Sequence, residues 1–111
     1  MVLYGSQELK VKAVLDTGSN NMILLPRLVE PLGLDLIQRK SHIITVGGTF
    51  VVPKVRIPKI YALGYELRDI EALAYELPEK IGVEVILGLK FFKKFTQLNL
   101  NFKEHYVEIL R

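Results

Sequence analysis

Ala13-Val14-Leu15-Asp16-Thr17-Gly18-Ser19 runs from an apolar strand straight into a carboxylate, then into a hydroxyl, a glycine and a second hydroxyl. Each residue type has a physical task if that carboxylate does chemistry. The apolar strand fixes the backbone and lowers the local dielectric. Gly18 lets the chain turn sharply and brings backbone N–H groups to the carboxylate oxygens. Thr17 and Ser19 offer hydroxyls that brace the loop and orient the acid, and an acid held this way is preorganised. The plainer reading is an Asx or ST turn at a strand end, in which the side chain bonds its own backbone.

Working outward, the dominant pattern is short β-type runs with turn residues between them. Val2 to Tyr4 and Glu8 to Leu15 flank Gly5-Ser6 as a hairpin, with Val11, Ala13 and Leu15 on one face and Lys10 and Lys12 on the other. Met22 to Leu25 reads as a buried strand. Leu25, Leu28, Val29 and Leu32 have helical spacing, which Pro31 limits to about one turn. Ile43 to Val46, Gly47-Gly48 and Thr49 to Ile57 make the clearest hairpin, because a Gly-Gly turn supplies positive φ. Pro53 and Pro58 in its second arm favour an edge or free-standing ribbon. Ile60 to Leu63, Leu67 to Leu73 and Val83 to Leu87 follow as strands. Lys90 to Phe95 reads as a final helix of one to two turns, and Gln97 to Phe102 with His105 to Leu110 as a closing strand pair. The fold class is all-β, a small closed barrel with a flap-like hairpin and one short C-terminal helix. With 111 residues and no linker or repeat, residues 1–111 are expected to form one domain.

Composition excludes several classes. There is no cysteine, hence no disulfide, thiol nucleophile or thiolate metal site, which suits a reducing compartment. The N-terminus carries no signal-peptide pattern, so a cytoplasmic location is favoured. No apolar run approaches the ~20 residues of a membrane helix, so no membrane segment is expected. The net charge of +3 comes from 15 basic residues scattered among 12 acidic ones, and only Lys90, Lys93 and Lys94 cluster. Nucleic acid is therefore not an expected partner. His42 and His105 have no carboxylates at ligand spacing, so no metal or cofactor is expected, and His42-Ser41 with Asp35 makes no credible triad. Tyr61, Tyr65, Tyr75 and Tyr106 read as packing aromatics.

A second element gives the first its weight. Val85-Ile86-Leu87-Gly88 lies about seventy residues after Asp16 and just before the short helix. Alone it is a core strand with a glycine stop. Together, Leu15-Asp16-Thr17-Gly18-Ser19, the Gly47-Gly48 hairpin and Ile86-Leu87-Gly88, in this order, resemble the aspartic protease superfamily in its single-domain, retroviral-type form. The resemblance spans nearly the whole chain. It implies that Asp16 is catalytic, that Thr17, Gly18, Ser19, Ile86, Leu87 and Gly88 support its loop, and that Val46, Gly47, Gly48, Thr49 and Phe50 form a flap over an extended peptide or protein substrate. Apolar walls are expected from Ile23, Leu25, Ile43, Ile44, Val46, Phe50 and Val51.

Hydrolysis by carboxylates needs one acid and one base around a single water. Asp35 and Asp69 lack the Thr-Gly sequel, so one chain provides one catalytic carboxylate and a homodimer twofold axis is expected to bring Asp16 opposite its copy. Two unit charges ~3 Å apart at an effective dielectric of ~20 repel by roughly 5 kcal/mol, enough for the pair to keep one proton over a broad pH range. The aspartic-protease pair is the established example of this effect. Retroviral members often carry alanine at the position of Ser19, whereas two-lobed members usually have a hydroxyl. A Ser19 hydroxyl donating to the carboxylate is expected to make the pH optimum more acidic. The N-terminal strand is short for the dimer-knitting role it has in retroviral members, so contacts around Thr17, the last helix and a brief terminal sheet are expected to carry the interface. The alternative function is a non-catalytic dimerisation or peptide-binding module on the same fold.

Overall fold

The computed structural model describes all of residues 1–111. Ten strands form, in order β1 (Val2–Tyr4), β2 (Glu8–Lys10), β3 (Ala13–Leu15), β4 (Ile23–Leu24), β5 (Asp35–Thr45), β6 (Gly48–Ala62), β7 (Tyr65–Ala74), β8 (Val85–Leu87), β9 (Gln97–Asn101) and β10 (Tyr106–Leu110). The helices are single turns, α1 (Val29–Leu32) and α2 (Leu89–Phe92). Eight strands make one sheet, β2-β1-β6-β7-β4-β8-β3 with β5 also on β6, and β9–β10 stand apart as a pair. The chain is mainly β, its large sheet curling into a half-barrel that begins at β2 and ends at β3.

β6 organises this sheet. One edge pairs with β7 over Lys54 to Ala62, while the other is shared by β5 (Gly48 to Arg56) and β1 (Lys59 to Tyr61). The edge-ribbon expectation for its second arm is therefore corrected: beyond Pro53 the strand is flanked on both sides. The prolines are tolerated because they fall where no ladder bond is required of them. Pro53 sits where the β5 register slips, and Pro58 sits between the end of the β5 ladder and the start of the β1 ladder. Each proline also switches the face. Val52 is buried, then Val55 and Ile57, then Ile60 and Ala62, so the inward parity changes at Pro53 and again at Pro58. On β7 the switch falls between Leu67 and Ile70, at Asp69, which stands opposite Pro58 with φ +54. These paired irregularities bend the sheet around the core, as bulges do.

The inner face buries 23 apolar residues in one cluster, with Leu3, Leu24, Leu32, Val55, Ile57, Ile60, Val85 and Phe91 almost fully enclosed. Full burial of one such side chain stabilises by about 1.5–3 kcal/mol, so this face supplies the main driving force. Two sequence boundaries move. The expected Glu8 to Leu15 strand divides because β2 pairs with β1 whereas β3 pairs with β8. The first arm of the flap begins at Asp35, eight residues earlier than expected. The helix expected over Lys90 to Phe95 is confined to Leu89–Phe92, with Phe91 buried against Phe92 and Phe95. Beyond it, the β9–β10 pair is tied down by Thr96, whose N–H donates to the Leu110 carbonyl and whose hydroxyl donates to that of Arg111 (3.0 Å). The Tyr65 hydroxyl adds a bond to the Ile109 carbonyl (3.1 Å).

Candidate active site

The Asp16 loop is anchored by a strand inserted between the two that flank it. β8 lies between β3 and β4, parallel to the first (Leu15 beside Leu87) and antiparallel to the second (Ile23 beside Ile86). Val85 and Leu87 face the core and Ile86 faces the cleft, so both faces of the strand are apolar and Val85-Ile86-Leu87 shows no alternation. The Asp16 N–H extends the ladder by donating to the Leu87 carbonyl (2.9 Å). The chain then turns, with the Ser19 N–H on the Asp16 carbonyl (3.1 Å) and the Gly18 N–H on Asp16 Oδ1 (2.9 Å). A Cβ on Gly18 would stand 3.1 Å from that same oxygen, so glycine permits this close approach.

Gly88 locks the far side. A Cβ there would meet the Asn21 carbonyl oxygen at 2.3 Å and that of Ser19 at 2.5 Å, so no side chain fits. The next two N–H groups use that proximity, Leu89 donating to Ser19 (2.7 Å) and Lys90 to Asn20 (2.9 Å). Residues 19–21 are thus clamped by backbone bonds from the turn that opens α2. Ser19 takes one of its two expected roles, bracing the loop, and not the other. Its hydroxyl donates to the Asn21 carbonyl (2.9 Å), bracing the loop, and its one proton is not directed to the Asp16 carboxylate. Thr17 is exposed and its hydroxyl has no partner within the chain.

Opposite this loop stands the β5–β6 flap. Its two turn residues are Val46 and Gly47, closed by the Thr45–Gly48 pair, so the turn lies one residue earlier than the expected Gly47-Gly48. Of the two glycines only Gly48 has positive φ, +128. Thr45 replaces the missing glycine effect with its side chain: Oγ1 accepts from the Gly47 N–H (3.1 Å) and donates to the Gly48 carbonyl (3.2 Å). Val46 is fully exposed, and Ile44 is 83% exposed.

Loop and flap enclose a cleft of about 570 Å³. Asp16, Gly18, Ser19, Ile86 and Val46 line it, as do the expected wall residues Ile23, Ile43 and Ile44. Leu87 and Gly88 lie behind the loop, supporting it. Gly47, Gly48, Thr49, Phe50, Val51 and Leu25 do not line the cleft; Phe50 packs on Tyr75 at 5.8 Å between centroids, and Leu25 is buried. Four polar lining residues escaped the sequence reading: Asn20, Asn21, His42 and Thr45. Asn20 and Asn21 are the direct continuation of the loop motif. His42 stands two residues before the expected wall residue Ile44, on the same strand. Asp35 and Asp69 lie outside the cleft, so within one chain Asp16 is its only carboxylate.

The arrangement offers a fixed, exposed carboxylate in a cleft of apolar and neutral polar residues under a hairpin. Comparison with known proteins agrees with it. The aspartyl protease family model matches residues 4–91. This chain belongs to the aspartyl protease family. Its fold is similar to that in the crystal structure of a retropepsin-like aspartic protease from Rickettsia conorii, with a TM-score of 0.66 at 18% identity, covering 99% of this chain and 83% of that one. No curated protein matches the sequence. Family and fold together support a general protease role.

Proposed function

We propose that two copies of this chain form an aspartic endopeptidase, each a single domain contributing one Asp16 to a shared catalytic pair. The observation that carries this is the loop itself: a clamped, exposed Asp16 in a substrate-sized cleft that contains no second acid. One Asp16 is ionised and removes a proton from water. The water oxygen adds to the peptide carbonyl carbon while the protonated Asp16 of the other copy donates to the carbonyl oxygen. Collapse of the tetrahedral intermediate breaks the C–N bond, and the amine leaves with a proton from the pair. An extended peptide lies beneath the flaps, taking main-chain hydrogen bonds and presenting alternate side chains to the apolar walls. The exposed Thr17 loop and the β9–β10 pair are the surfaces for association. An isolated two-stranded sheet is marginally stable, and this one exposes Leu100, Phe102, Tyr106, Val107 and Leu110.

The test is digestion of casein from about pH 3 to 7 by the parent protein and by Asp16→Asn. General acid–base catalysis is worth about 10²–10⁴-fold, so the variant should fall at least that far. Equal behaviour of the two proteins removes the enzymatic reading in favour of a peptide-binding module.

A further inference from the structure

Apart from Asp16, the cleft contains one other ionisable side chain. His42 lines it from β5, on the flap arm, among apolar and neutral polar neighbours. Its imidazole is exposed and takes part in none of the chain's three ion pairs. The charged residues nearest along its own strand are Arg39 and Lys40, and Lys54 stands on β6. Tyr75 packs on Phe50, and Asp16 lies across the cleft. Of these, only Asp16 lines the same space.

We infer that His42 is a specificity-determining residue that selects substrates carrying an acidic side chain beside the scissile bond. This rests on the protease reading above. A protonated imidazole donating to a carboxylate makes a charge-assisted hydrogen bond, stronger than a neutral one. The catalytic pair retains one proton and its own net negative charge, so an acidic side chain is tolerated in the cleft only where a cation meets it. His42 is that cation. The twofold axis repeats it on the other side of the cut, so the preference applies to either flank.

The sign with pH follows from two titrations. A carboxylate accepts the bond only when deprotonated, and an imidazole offers a charged donor only when protonated. The preference therefore needs both forms together, and it is lost as rising pH removes the imidazole proton.

The experiment first maps the cuts the parent makes in casein by mass spectrometry. Two peptides are then made around one efficient cut, differing only by Glu or Gln at the acid-enriched flanking position. At about pH 5.5 the parent should favour the Glu peptide about tenfold in kcat/KM, and the ratio should fall to one or below as pH rises toward 7. His42→Gln should bring the ratio to one or below at every pH, whereas His42→Arg should restore it and hold it up to the highest pH at which the enzyme cuts. No acid enrichment among the mapped cuts, equal rates on the two peptides, or a ratio unchanged in His42→Gln, overturns the inference while leaving the protease reading intact. Failure of the parent to cut casein at all sinks both.

Discussion

Two turns face each other across the cleft and are held in opposite ways. The Asp16 loop is fixed from behind: Leu87 accepts from Asp16, the α2 opening donates to residues 19 and 20, and Gly88 leaves no space between backbones. The flap tip is held only from within, by the Thr45–Gly48 strand pair and the Thr45 side chain, with Val46 and Ile44 in solvent and no heavy atom closer to a Gly47 Cβ than 3.7 Å. The same residue, glycine, thus serves exclusion in one turn and little more than a gap in the other. A catalyst needs its reacting acid in one geometry and its cover able to open for a peptide. In the proposed enzyme, the contrast in contacts would serve that division of labour.

Substitutions can break the contrast. Gly88→Ala forces a methyl group into two carbonyl oxygens, and should destabilise by about 2–4 kcal/mol in urea unfolding with loss of casein cleavage. Equal stability to the parent would mean that the loop is not clamped. Ser19→Ala removes the bond to Asn21 and should cost about 1 kcal/mol. Because that hydroxyl does not face the carboxylate, the pH–rate profile should keep its optimum; a displaced optimum would return Ser19 to the role the sequence alone suggested. Gly47→Ala should change stability by less than about 0.5 kcal/mol, since its φ is ordinary and its surroundings are open. A loss comparable to Gly88→Ala would abolish the distinction between the two turns.

Much of this was legible in the sequence because the decisive signals are local. An apolar strand ending in Asp-Thr-Gly, a non-alternating strand ending in Gly88 and a β-branched hairpin each identify themselves within a few residues. What escaped depends on pairing across distance. Asp35 to Lys40 shows no alternation because both of its faces are exposed, so only its partner strand reveals it as part of β5. Pro53 and Pro58 pointed to an edge, because the sequence cannot show that neighbouring ladders end or slip where they stand. His42 looks ordinary until residues 16–21 are brought to face it. Ser19 was placed beside the acid, but its proton goes to Asn21, a choice made by loop geometry.

The central claim is that one chain carries half of a hydrolytic centre. The most direct measurement is specific activity on casein as a function of protein concentration, alongside sedimentation on the same samples. Specific activity should rise with dilution reversed, in step with the fraction of dimer, and vanish where only monomer sediments. Constant specific activity from a chain that sediments as a monomer throughout would contradict it.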